Sequence, residues 1–166
     1  MRYPLLLAAA LLLPAPLFAQ SAAPIVAVST PVSADVALAN FFDAYDKAQL
    51  ARSPQGQSYR GIKTDYGKWN DGSDAAAIAN HAADQKALSD MRARFATADL
   101  SPDSRLSYRL FEKAMLRRDA GFKYRHNGYV FDQMNGAQSE YPAFLINIHG
   151  VRSKSDAEAY VSRLRG

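Results

Sequence analysis

Three histidines, His81, His126 and His149, are the side chains in this 166-residue sequence best suited to move a proton or hold a metal near neutral pH. A zinc site on one helix needs a glutamate beside the first imidazole and a second imidazole one turn later. His81 is followed instead by Ala82-Ala83-Asp84-Gln85. His126 falls near an expected helix end, where a cation is favourable on its own account. His149, in Ile148-His149-Gly150, reads as a packed or loop-capping residue. The three are not expected to form a metal site. Nucleophilic chemistry is no better served. There is no Gly-x-Ser-x-Gly elbow, and Gly72-Ser73-Asp74 fits a turn followed by a helix cap. No glycine-rich phosphate loop occurs. The carboxylate pairs Asp43 with Asp46 and Asp71 with Asp74 suit a solvated helix face and a helix start. No catalytic and no metal-binding residue is expected in this chain.

The elements that would position any such groups are helical. Ser33 is expected to cap a helix running to about Arg52, with Leu38, Phe41, Phe42, Tyr45 and Ala48 at steps of three and four. Ser53-Pro54 stops it, because proline donates no backbone hydrogen bond and disfavours helix in the residue before it. Residues 53–73 read as a loop whose Tyr59, Ile62, Tyr66 and Trp69 staple it to the core. A second helix is expected from Ser73 or Asp74 to about Thr97, burying Ile78, Ala82, Leu88, Met91 and Phe95. Ser101-Pro102-Asp103 starts a third, which carries Leu106, Leu110, Met115 and Phe122 to about Arg125. Arg117, Arg118, Lys123 and Arg125 crowd its end, where cations complement the helix dipole. Tyr129-Val130-Phe131 reads as a short strand and Ala143–Ile146 as a short helix. A last helix opens at a capping box, Ser155 to Glu158, with an apolar face of Ala157, Tyr160, Val161 and Leu164. The fold class is all-α: an irregular helical array with loop-rich connections, part of a larger, mostly helical domain.

At the front, Arg2, the apolar run Leu5–Leu13 and Ala19 after two prolines have the three parts of a secretory signal peptide. Cleavage is expected after Ala19, or near Ser21 or Ala22. Residues 20–32 then form a flexible lead-in, and 33–166 the helical region. The apolar run falls short of the about 20 residues a membrane span needs, so no stable membrane insertion is expected after cleavage. The absence of cysteine excludes a disulfide framework, thiolate zinc and a cysteine-linked lipid anchor. The expected location is the periplasm or the medium. Net charge is +4, with eleven Lys/Arg against seven Asp/Glu after residue 99. The basic residues form no stripe interleaved with base-stacking aromatics, so nucleic acid is not an expected partner.

Read in order, Ser53-Pro54, Trp69-x-Asp71-x-Ser73 and Tyr108-x-Leu110-Phe111 lead to Gln133-Met134-Asn135-Gly136-Ala137-Gln138-Ser139 with Pro142-x-Phe144-Leu145. Ser153-x-Ser155-Asp156-Ala157-Glu158-x-Tyr160-Val161-x-Arg163-Leu164 follows. This pattern resembles the N-terminal part of the bacterial domain-of-unknown-function 885 family over about residues 35–166. The resemblance implies an exported, zinc-peptidase-like hydrolase whose metal motif lies far downstream. It carries no ligand onto a position here, and the chain reads as an N-terminal fragment or the product of a truncated gene. Zinc is then expected only in the full-length protein. The implied partners are the missing C-terminal catalytic portion and a peptide substrate. Gln133, Asn135 and Gln138, in a polar turn-rich loop, are the candidate contacts to a substrate cleft. The alternative is a self-contained helical periplasmic protein that binds a ligand or partner without catalysis.

Overall fold

The computed structural model describes residues 33–134 and 136–166. The expected signal peptide (1–19), the lead-in (20–32) and Asn135 lie outside them. Five of the six helices among the described residues begin at a serine whose Oγ accepts a backbone N–H: Ser33, Ser53, Ser73, Ser101 and Ser153. Such caps satisfy donors that the first helical turn leaves unpaired. They open α1 (Ala34–Ala51), α2 (Pro54–Tyr59), α3 (Asp74–Phe95), α4 (Pro102–Phe122) and α6 (Lys154–Arg165). Only α5 (Ala137–Asn147) starts without one, at Gly136.

The all-α expectation holds, since no strand occurs among the described residues. At Tyr129-Val130-Phe131 the side chains are largely exposed, and the Val130 carbonyl accepts from Ala137 N–H, so no strand partner is met. The stretch after Ser53 is not all loop. Ser53 and Pro54 end α1 and at once start α2, with proline at the first position, where its missing N–H costs nothing. α5 begins well before Ala143 and takes Pro142 inside it. α6 is capped by Ser153, not Ser155. Ser153 Oγ accepts from Asp156 N–H at 3.2 Å, and the buried carboxylate belongs to Asp156, with Glu158 left exposed.

α3 and α4 run antiparallel, paired at Asp74–Arg125, His81–Asp119 and Arg92–Glu112. α1 packs along both, from Asp35 at Ser101 to Tyr45 at Asp84 and Met115. Leu38, Leu88, Met91, Phe95, Tyr108 and Met115 form the buried core. Phe41 meets Phe95 and Phe111 edge-on, and Tyr45 meets Phe111 likewise, at centroid distances of 5.0–6.0 Å, a favoured aromatic geometry. The expected stripes hold in part. Ile78 on α3 and Leu106 and Leu110 on α4 point to solvent, and Tyr108 takes the inward position instead. The basic residues near the end of α4 also reach across the fold. Arg118 pairs with Asp84 and donates to Tyr45 Oη, and Arg125 grips Asp74.

Met91 is fully buried and Leu106 more than half exposed. Met91→Ala is expected to lower unfolding free energy by about 2–5 kcal/mol, and Leu106→Ala by no more than about 0.5 kcal/mol. Urea denaturation of the two variants checks this, and equal losses would contradict the packing described.

Candidate functional site

Two places in the fold gather polar and titratable groups. The first surrounds Arg163 on α6, which is 2% exposed and pairs with no carboxylate among the described residues. Its guanidinium donates from Nε to Lys68 O (3.0 Å), from one terminal nitrogen to His149 Nδ1 (2.9 Å), and from the other to Ser58 Oγ (2.9 Å) and Pro54 O (3.5 Å). Phe144, Trp69 and Tyr66 lie under the cation at 4.7, 5.3 and 5.5 Å. Neutral oxygens, an imidazole nitrogen and π faces thus replace the usual counter-ion. Burial lowers the guanidinium pKa, but arginine keeps its proton regardless.

His149 is fixed from both sides. Nε2 lies 3.1 Å from Asp156 O, and a carbonyl accepts only, so Nε2 carries the proton. Nδ1 is then free to accept from Arg163, and the two contacts agree on one neutral tautomer. Burial, with Arg163 adding to it, pushes the imidazole pKa down. The ring stacks on Tyr66 at 4.0 Å, and Tyr66 Oη donates to Gly150 O. Asp156, 3% exposed, accepts from Lys63 Nζ (2.7 Å) and Arg152 N–H (3.0 Å), and its carboxyl drops to about 2. Trp69 Nε1 donates to Arg163 O at 2.8 Å. Gly67 lets the loop approach α6, because an added Cβ would sit 3.2 Å from Ser162 Cβ. Tyr66 and Trp69 therefore staple the loop as expected, whereas Tyr59 and Ile62 stay exposed. The arrangement holds α2, the 61–70 loop, the end of α5 and α6 in one register. Every strong donor in it is already used, so its chemistry is positional.

The second place is a groove of about 510 Å³ between α3 and α4. His81, Gln85 and Arg92 share the face of α3 that lines it, and Asp119 lines it from α4. Asp119 Oδ1 accepts from His81 Nε2 (2.9 Å) and Gln85 Nε2 (2.8 Å), and Gln85 first, then His81, holds its carboxyl below the ordinary range. The imidazole lies flat on Phe122, with centroids 3.9 Å apart. An imidazole oriented by a carboxylate and a stacked ring is suited to proton exchange and to recognising donors. Sequence reasoning missed it, since 38 positions separate His81 from Asp119.

The turn selected from sequence lies apart from both places. Gln133 is exposed. Gln138, in the first turn of α5, donates to the Asp132 carbonyl, and Ser139 Oγ bonds Gly136 O. Neither glutamine lines the α3–α4 groove. Among the described residues no three His, Asp or Glu side chains come together where a metal could be held. His81–Asp119 and His126–Asp74 are pairs only.

A family model described as bacterial protein of unknown function (DUF885) matches residues 54–166. No curated protein and no solved structure matches the chain.

The His149 geometry has a pH signature. Its folded pKa lies below the ordinary 6.5, so the unfolded chain binds the extra proton. Its contribution to stability is complete above 6.5 and is lost as pH falls below that value. Asp156 acts lower, and its contribution disappears between 3.8 and about 2. Urea midpoints are expected to decline in these two windows. In ¹⁵N spectra at pH 7 His149 should be the Nε2–H tautomer, and titration of His149 at or above 6.5 would contradict the assignment.

Proposed function

We propose, on the premise that the chain belongs to the DUF885 family, that its helices form the non-catalytic wall of an exported, metal-dependent, peptidase-like hydrolase. The protein acts in the periplasm or outside the cell. Zinc and the residues that hold it come from polypeptide beyond these helices. Gln133, Asn135 and Gln138 meet the peptide substrate at the cleft. The described residues do not themselves fit zinc, because thiolates are absent, His81 and His126 each meet a single carboxylate, and both nitrogens of His149 are taken by Asp156 O and Arg163. No bond-breaking step belongs to them. Their part is to hold a wall in place, which the Arg163 contacts support.

The observation that carries this reading, beside family membership, is apolar surface on the outside of the helices. Leu106 and Leu110 stand one turn apart on α4 at 56% and 59% exposure, Ile146 on α5 is 77% exposed, and Leu164 on α6 is 62% exposed. Leu106 and Leu110 share one outward face of α4, and an apolar face of that kind is one that further protein covers.

The test uses two proteins: the processed product of these 166 codons, and a longer product of the same locus if the reading frame continues. The short product is expected to release no amino acids from peptide mixtures, with or without added zinc, and to hold no stoichiometric zinc. The longer one is expected to do both. Hydrolysis by the short product alone would end the proposal. The second reading, a self-contained helical binding protein, is favoured by the α3–α4 groove. It gains if a stop codon follows and the short product unfolds cooperatively. Amino-terminal sequencing of the periplasmic fraction is expected to begin at Gln20, and recovery of an intact Met1 would contradict export by cleavage.

A further inference from the structure

We propose that the groove between α3 and α4 binds a short peptide with free termini, its ammonium group beside Asp119 and its carboxylate beside Arg92. The inference does not depend on the hydrolase reading.

One end of the groove is an acceptor cluster. Asp119 spends Oδ1 on both His81 and Gln85, and its Oδ2 makes no hydrogen bond among the described residues. Gln85 donates through Nε2 and keeps Oε1. Asp119 is thus a negative charge that no Lys or Arg bridges among the described residues, with one carboxylate oxygen open to a donor. A primary ammonium matches the open Asp119 oxygen, with N–H donors and one positive charge.

The other end carries a guanidinium, paired with Glu112, that keeps unused donors. Arg92 uses Nε on Glu112 at 2.6 Å, and its two terminal nitrogens have no partner among the described residues. That free edge of the guanidinium is the fork that takes a carboxylate through two parallel bonds. His81 and Arg92 are eleven positions apart on α3, close to three full turns, so they share one face about 16 Å apart. Leu88, Met115 and Leu116 supply an apolar floor between them. An extended peptide advances about 3.3 Å per residue, so four or five residues span the two ends. The cavity of about 510 Å³ is of the size that holds small ligands. An open carboxylate oxygen at one end and open guanidinium nitrogens at the other, with an apolar floor between them, select against a ligand that is only a polycation or only an anionic amphiphile.

The test titrates tetra-alanine into the processed chain at pH 7 and follows binding by amide and side-chain chemical shifts. N-acetylated and C-amidated tetra-alanine, spermidine and octanoate serve as comparison probes. The free peptide is expected to shift His81, Gln85 and Arg92 resonances. Blocking either end, or introducing Asp119→Asn or Arg92→Gln, is expected to weaken binding about tenfold, the loss of one charge-assisted contact. Acetylation should cost nothing further in Asp119→Asn, nor amidation in Arg92→Gln. The blocked peptides report on the native fold, so a misfolded variant does not decide the matter. Equal affinity for free and blocked peptides, equal affinity for spermidine or octanoate, or no binding at all would each overturn the proposal. None of these results bears on zinc-dependent hydrolysis by the longer product.

Discussion

A guanidinium sealed from water without a carboxylate is the constraint on which half of this fold depends. Arginine does not escape burial by losing its proton, and an uncompensated buried charge is costly. Arg163 is tolerated because four neutral acceptors and three aromatic faces converge on it from α2, the 61–70 loop, α5 and the residue pair after α5. Each acceptor lies on backbone or on a short side chain, so satisfying the cation fixes the main chain. His149 extends the constraint. The proton it must keep on Nε2 to reach Asp156 O leaves the lone pair that Arg163 needs.

The molecule is therefore held by two different means. α1, α3 and α4 cohere through Leu38, Met91, Phe95 and their neighbours, which is non-directional burial. α2, the loop, α5 and α6 cohere through directional polar contacts with aromatic rings packed round them. Burial of the first kind tolerates small shifts, whereas the second admits one geometry only.

The parts legible in the sequence are those written in local chemistry. Ser33, Ser73 and Ser101-Pro102 marked helix starts because capping acts within three residues. Leu88, Met91 and Phe95 were readable as a stripe, and so was Leu38. Reading failed where burial did not follow hydrophobicity. On α6 the two buried positions are Asp156 and Arg163, while the apolar Val161 and Leu164 face out. α2 was missed because a six-residue helix has no periodicity to detect. The short strand expected at Tyr129–Phe131 rested on propensity without a partner strand. Both polar clusters are tertiary. Asp119 meets His81, and Lys68 meets Arg163, across 38 and 95 positions, distances over which no spacing rule operates.

Site-resolved amide hydrogen exchange on Arg163→Met tests the central claim most directly. Methionine keeps much of the volume and removes all four hydrogen bonds. The account predicts faster exchange across α2, the 61–70 loop, α5 and α6, with α1, α3 and α4 still protected around Met91. Unchanged protection in the first group, or an equal loss in both, would contradict it.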